Sequence, residues 1–427
     1  MSLPRISNHA LAFVFIVGMV NLIIAGADAG TAKAGHSIMH DKYAPQLPVD
    51  PGFENTATCN WWGERRRLAD AGVLLNAQLV LEGFENFQGG RDTGTAASST
   101  FDLNLTVNTG RAFDWQGGTF YMDVEDHAGK DPSSVLTGDL QGFDKLNSLP
   151  YFQIFELWYQ QTLFDGWLRV KLGKIDANTE FSVIDDGLRF LNASTQVAPT
   201  ILGFPTTPAP MPGVNLFFTP DKLWYAGFGA FYTDRSDIFG DFAGHPQSVQ
   251  PTGFGTFLIG ETGFRWQRSQ GQGADGNLKL GIWDHTGTFT LLQGGTRKGS
   301  SGYYAVIDQT LWRQATKGRQ GRGVRVFFES GRTQQAVSVI DWNVTGGINW
   351  TGILADRPDD SIGLSANYAH ISALARLPHP YELALEGLYR IQVLRWAFLM
   401  PDLQFIVHPG GIYPDALVWT MDLIVRF

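Results

Sequence analysis

The chain holds 427 residues with 50 Gly, 13% aromatic side chains, a single Cys and a formal net charge of -9. This balance excludes a nucleic-acid partner, because phosphate binding needs clustered Lys and Arg, and "GERRR" at 63–67 is too short to supply it. Cys59 standing alone excludes an intrachain disulfide framework, and beyond residue 30 no apolar run is long enough for a helical membrane span.

The N-terminus reads as a secretory signal over residues 1–29. Arg5 supplies the positive charge, residues 10–25 the apolar stretch, and Ala27-Asp28-Ala29 the cleavage pattern. A retained anchor fits less well, because the stretch is short and Asn21 interrupts it. Residues 30–72 are expected to form an N-terminal periplasmic segment. Within it, "NWWGERRRLADAG" at 60–72 predicts a short helix that stops at Gly72 and caps the rim of the following domain.

From residue 73 the pattern changes to a period of two. "TFDLNLTVN" sets Phe101, Leu103, Leu105 and Val107 against Asp102, Asn104, Thr106 and Asn108. "TFYMDVED" sets Phe120, Met122 and Val124 against Tyr121, Asp123 and Glu125. Further strands are expected near 73–86, 152–163, 167–174, 214–219, 223–232, 254–267, 276–285, 303–312, 323–330, 342–350, 361–370, 381–393 and 398–408. The last is "LVWTMDLIVRF", in which Leu417, Trp419, Met421, Leu423, Val425 and Phe427 share one face with Thr420, Asp422 and Arg426 opposite, although Val418 and Ile424 blur the polar side. Its alternation runs for about eleven residues, close to what a tilted strand needs to cross a bilayer.

About sixteen such strands over 73–427 predict an all-β fold, a transmembrane antiparallel β-barrel with a water-filled lumen. Short links at 109–116, 164–166, 220–222 and 394–397 alternate with long ones at 127–150, 175–213 and 233–253, as periplasmic turns and extracellular loops do. The proline-rich stretch 205–212 is placed outside the membrane, since proline cannot donate to a ladder. A soluble β-sandwich or propeller predicts a repeat period or strongly apolar inward faces, and neither is found.

The polar faces carry the functional expectations. They present Glu156, Trp158 and Gln160, then Arg169 and Lys171, Arg325 and Glu329, and Glu382, Glu386, Arg390 and Gln392. Charges of both signs suit a hydrated pore better than a dry core. An uncharged, hydroxyl-rich solute calls for an aromatic platform with donors and acceptors around it. The candidate constriction is therefore Trp158 as platform, Glu156, Asp123 and Glu125 as acceptors, and Arg169, Lys171, Arg325 and Arg390 as donors, with links 127–150 and 175–213 folded inward.

A barrel enzyme is the competing class. No G-x-S-x-G, H-E-x-x-H, paired C-x-x-C or Walker loop occurs, and the His residues lack ligand spacing, so neither a catalytic site nor a cofactor or metal is expected. His127, His285 and His408 read as surface histidines at strand ends, "GGTRKGSS" at 294–301 as a surface loop, and Asp185-Asp186 as a solvated turn.

"NWWGERRRLADAGV" with "NFQGG", then "GDLQGFDKLNS", "FELWYQQTLFDGWLRVKLGKIDANTEF", "LRFLNAS" and the closing "PDLQFIVHPGGIYPDALVWTMDLIVRF" resemble the carbohydrate-selective porins of Gram-negative outer membranes, the OprB type. The resemblance implies a sixteen-stranded barrel in outer-membrane lipid, monomeric as a conducting unit, whose pore passes glucose and related sugars. Phe427 resembles the terminal signal read by the barrel assembly machinery. Within transport, a non-selective pore, or one that prefers anions or organic acids, stays open, because Arg and Lys on the lumen wall attract negative solutes.

Overall fold

The computed structural model describes residues 52–146, 148–233, 255–266, 275–314 and 322–427. The signal peptide, the segment up to residue 51 and nearly all of the 233–253 link lie outside them.

Short 3-10 turns at Phe53–Asn55 and Trp61–Gly63 lead into helix α1 (Glu64–Asp70), which ends at Gly72 with φ +89°. The strands follow as β1 (Val73–Gln88), β2 (Gly94–Asn108), β3 (Gly118–Gly129), β4 (Tyr151–Leu163), β5 (Leu168–Ile175), β6 (Met211–Phe218), β7 (Trp224–Thr233) and β8 (Gly255–Trp266). The second half runs β9 (Gly276–Thr290), β10 (Thr296–Arg313), β11 (Gly323–Thr333), β12 (Ile340–Thr351), β13 (Ser361–Ile371), β14 (Tyr381–Leu394), β15 (Ala397–Val407) and β16 (Ala416–Arg426). A one-turn helix, α2 (Thr109–Phe113), joins β2 to β3.

All sixteen strands expected from the alternation are present, and each pairs antiparallel with its sequence neighbours. Pairing of β1 with β16 closes the ring, from Gln78↔Arg426 to Glu85↔Trp419. Closure follows from the solvent: hydrocarbon offers no partner for backbone N–H and C=O, so an open sheet edge is excluded. β16 shows the two faces. Leu417, Trp419, Met421, Leu423 and Val425 stay partly accessible on the outside, while Thr420, Asp422 and Arg426 are buried within. Val418 and Ile424, the residues that blurred the polar side, join apolar clusters inside the barrel beneath Phe143 and Leu146.

Two stretches differ from expectation. Most of "GGTRKGSS" is strand: β10 starts at Thr296, leaving 291–295 as the turn. Pro212 belongs to β6, opposite Lys174, at the second residue of the strand.

α1 is joined to the rim where β1 begins and β16 ends. Arg65 is 2% exposed and donates to Thr56 Oγ1 (2.8 Å), Cys59 O (3.1 Å), Leu75 O (2.9 Å) and Phe427 O (3.3 Å), with its guanidinium 4.4 Å from the Phe53 ring centroid. One side chain thus ties the helix to both strands of the seam. Phe427 N donates to Ala77 O at 2.8 Å, which extends the seam by one residue. Replacing Arg65 with Ala strips these carbonyls of their donor and is expected to lower barrel stability by about 2–3 kcal/mol. A lower midpoint in thermal unfolding of the detergent-solubilised barrel, followed by its heat-shifted electrophoretic mobility, is the check.

Candidate functional site

A sixteen-strand ring is wide enough to hold an aqueous channel, so what occupies its interior sets the passage. Here two links turn inward. The larger, 176–210, crosses the lumen and is fastened to β4, β8, β10 and β14 through a repeated device, in which a wall carboxylate accepts backbone N–H groups of the link. Glu156 on β4 accepts from Asp176 N (3.0 Å), Glu261 on β8 from Ser182 N (2.9 Å), Asp308 on β10 from Asp186 N (3.0 Å) and Glu386 on β14 from Leu191 N (2.6 Å). Thr200 Oγ1 donates to Asn343 Oδ1 on β12 at 3.0 Å. Each of these carboxylate bonds satisfies a link amide that is closed off from water.

The second link, 130–150, uses the same chemistry. Glu382 accepts from Leu140 N (2.7 Å), Gln141 N (3.1 Å) and Gly410 N (2.7 Å). The two links also bond to each other, Lys145 N to Leu191 O at 2.7 Å and Ala193 N to Gly142 O at 2.8 Å. Phe181, Ile184, Phe190, Leu191, Ile201 and Leu202 of the larger link form one buried cluster with wall residues that include Trp158, Phe257, Trp283 and Phe327.

Glycines make room for the Glu261 anchor. Tyr225 on β7 and Tyr304 on β10 both donate to Glu261, at 2.6 and 2.7 Å. Their rings lie flat on the wall over Gly263 and Gly281, where a Cβ would come within 1.9 and 2.1 Å of ring atoms.

The sequence-derived candidates separate into two groups. Glu156, Trp158, Arg169 and Lys171 come together, but closed in by the larger link rather than open to solute. Glu180 of that link accepts two hydrogen bonds from Arg169, one at 2.8 Å, and pairs with Lys171. Burial would raise the Glu180 carboxyl, yet Arg169 and Lys171 hold it down to about 2. Trp158 is 3% exposed. Tyr121 stacks on it with centroids 4.8 Å apart, Lys171 Nζ lies 4.0 Å from its ring centroid, and its Nε1 donates to Glu156 at 3.2 Å. An open aromatic platform at Trp158 is therefore corrected to a wall element, because neighbours take the ring that a sugar would need. Asp123 and Glu125 are buried in the same wall, accepting from Tyr121 and Tyr151 hydroxyls respectively.

Arg325 and Arg390 form the second group and keep accessible surface near the rim where β1 begins and β16 ends. Two arginines that the sequence reading did not select are electrostatically coupled to them, Arg189 to both and Arg426 to Arg390. Arg189 sits in the 3-10 turn Gly187–Arg189 of the larger link, and Arg426 near the end of β16. Burial, then the like charge of Arg325, holds Arg189 below the ordinary guanidinium value, with Asp186 opposing. Arg390 and Arg426 both flank Phe398, with guanidinium carbons 3.8 and 4.6 Å from the ring centroid.

The acids around this arc are engaged. Asp186 Oδ1 lies 3.5 Å from Arg325 Nη1, and Asp185 Oδ2 accepts from Lys279 Nζ at 2.9 Å and Asn277 Nδ2 at 3.0 Å. The Asp185-Asp186 pair is thus no solvated turn but the docking point of the link on β9, β10 and β11. His127 and His285, expected at the surface, are buried, and each shares a 2.9 Å hydrogen bond with a threonine, Thr100 and Thr233. Arg189 carried no periodic signal, and only the infolding of its link brings it to the wall arginines. Among the described residues no group of His, Cys, Asp and Glu is arranged to hold a metal ion.

The profile of the carbohydrate-selective porin, OprB family matches residues 92–427. The chain is 24% identical over 403 residues to Porin B of Pseudomonas aeruginosa, covering 83% of this chain and 87% of that protein. Two solved structures of Pseudomonas putida OprB resemble it, each covering 87% of this chain and 98% of the other. The high-pH form has a TM-score of 0.77 at 20% identity and the low-pH form 0.58 at 18%.

Replacing Glu180 with Ala leaves Arg169 and Lys171 buried without their counter-charge, a loss of about 3–5 kcal/mol for a buried pair. The larger link is expected to loosen from β5, raising single-channel conductance and current noise in planar bilayers. Conductance equal to that of the unmodified channel would show that the ion pair does not hold the constriction.

Proposed function

Because this chain belongs to the carbohydrate-selective porin, OprB family, we propose that it lets glucose and related sugars diffuse passively through an outer-membrane channel. The observation that carries this reading is the lumen narrowed by two infolded links fastened to the wall, with Arg189, Arg325 and Arg390 keeping accessible surface. Family and fold point to a channel rather than an enzyme.

In this reading a sugar exchanges part of its hydration for hydrogen bonds from Arg325, Arg390 and Arg189, and leaves readily because no single contact is strong. Glu156, Trp158, Asp123, Glu125, Arg169 and Lys171 act one step back, by holding the link that shapes the passage. The signal peptide directs export, the barrel assembly machinery reads Phe427, and the barrel conducts as a monomer in outer-membrane lipid, with the rim of the chain ends facing the periplasm. A non-selective or anion-preferring pore is the second reading, favoured by the arginine arc.

Single-channel recording of the purified protein separates them. Millimolar glucose is expected to reduce the chloride current in a concentration-dependent way, with maltose acting similarly. A current indifferent to both sugars, together with strong chloride preference, would overturn the sugar reading.

A further inference from the structure

We propose that the outer face of the barrel, at the rim opposite α1, carries a docking site for a sugar-headed, phosphorylated lipid of the outer leaflet, the lipopolysaccharide class. The site is built on Arg332 and a ladder of aromatic rings that runs from Trp342 to His379. It goes beyond the sugar-channel reading and takes from it only the orientation, with α1 on the periplasmic side.

The ladder crosses three strands and two loops unbroken. Trp342 on β12 meets Tyr368 on β13 edge to face with centroids 5.4 Å apart, and Tyr368 stacks on Tyr381 of β14 at 5.6 Å. Tyr381 meets His408 at 4.9 Å, and His408 stacks on His379 at 3.7 Å. Register puts a cation beside it. β11 starts at the α1 rim and Arg332 is its penultimate residue; Phe327, Glu329 and Gly331 are buried toward the lumen, while Phe328 and Arg332 are exposed on the other face. Arg332 lies directly opposite Trp342 on one side and Tyr303 on the other, a pairing that sets Cβ atoms about 4.5–5.5 Å apart. Trp342 is 39% exposed and Tyr303 56%.

These groups have donors to spare. Asp341, the carboxylate of β12, is bound to His370 Nδ1 at 2.6 Å, and Arg332 has no carboxylate within ion-pair distance among the described residues. Trp342 Nε1 and the hydroxyls of Tyr303, Tyr368 and Tyr381 likewise have no hydrogen-bond partner among them.

An aromatic girdle at the membrane interface accounts for the rings alone, since Trp and Tyr settle there for their amphipathic shape. It does not account for an unpaired guanidinium on the same lipid-facing surface, where bare charge is costly. A phosphate supplies the missing counter-charge and accepts paired N–H donors. The ring faces suit the C–H faces of sugar rings, and the indole and phenol donors suit sugar hydroxyls and amide carbonyls. One molecule that offers both is a lipid whose head is a phosphorylated amino sugar. A glycerophospholipid brings the phosphate but leaves the ladder without a sugar.

The test is lipid binding to the purified full-length barrel in detergent, read by native mass spectrometry, with bisphosphorylated lipid A, dephosphorylated lipid A and phosphatidylglycerol as probes. Bisphosphorylated lipid A is expected to bind about tenfold more tightly than either of the others, the value of one charge-assisted bond. Arg332→Gln is expected to weaken it about tenfold and to leave the dephosphorylated form unchanged, whereas Trp342→Ala weakens both. Phosphatidylglycerol bound as tightly as lipid A by the unmodified protein, or either variant binding all three lipids as the unmodified protein does, would overturn the proposal. Lipid binding is read without any solute, so the fate of the sugar-channel reading is decided separately by current block. Orientation is checked on intact cells with Ala373→Cys, in the exposed turn between β13 and β14, made in a Cys59→Ser chain. Labelling by a membrane-impermeant maleimide is expected, and labelling only after lysis would put this rim in the periplasm and overturn the proposal as well.

Discussion

Every backbone N–H and C=O placed in hydrocarbon must find its partner within the protein, and this constraint organises the molecule. It forces the sheet to close, which the pairing of β1 with β16 achieves. Closure in turn gives each strand two environments, lipid outside and lumen inside, and alternation along the chain follows. The seam is also where α1 is set against the rim, for Arg65 bonds carbonyls of Leu75 and Phe427 on its two sides.

The same constraint recurs inside the barrel in another form. A link folded into the lumen brings backbone amides away from bulk water, and they too need acceptors. The wall supplies carboxylates: Glu156, Glu261, Asp308, Glu382 and Glu386 each accept from link N–H groups. Wall acids that look like channel-lining charge therefore serve as fasteners. Arg189, Arg325 and Arg390, by contrast, keep accessible surface.

Legibility in the sequence followed the range of the interactions. The sixteen strands were readable because facing lipid or lumen is decided residue by residue at a period of two, and the tail from Leu417 to Phe427 shows it plainly. The helix at Glu64–Asp70 was readable from its residue types and from the glycine that ends it. β10 was read too short, because Gly, Ser, Arg and Lys at 296–301 resemble loop composition while their pairing with β9 is a long-range fact. Lumen orientation of Trp158, Glu156 and Lys171 was likewise correct, yet their exposure was not, since a residue can face inward and still be covered by a segment from elsewhere.

The sequence by itself determined the barrel, its strand count, the inward and outward faces and the links with the length to fold in, because these depend on local alternation against a two-sided environment. Only the tertiary structure decided which inward residues remain open. That outcome rests on where the 176–210 link comes down. Glu180 seals Arg169, Lys171 and Trp158 behind it, and Arg189 is brought within electrostatic reach of Arg325 and Arg390. Contacts between residues so far apart in the chain leave no periodic trace, which is why the fold could be read from the residues and the constriction could not.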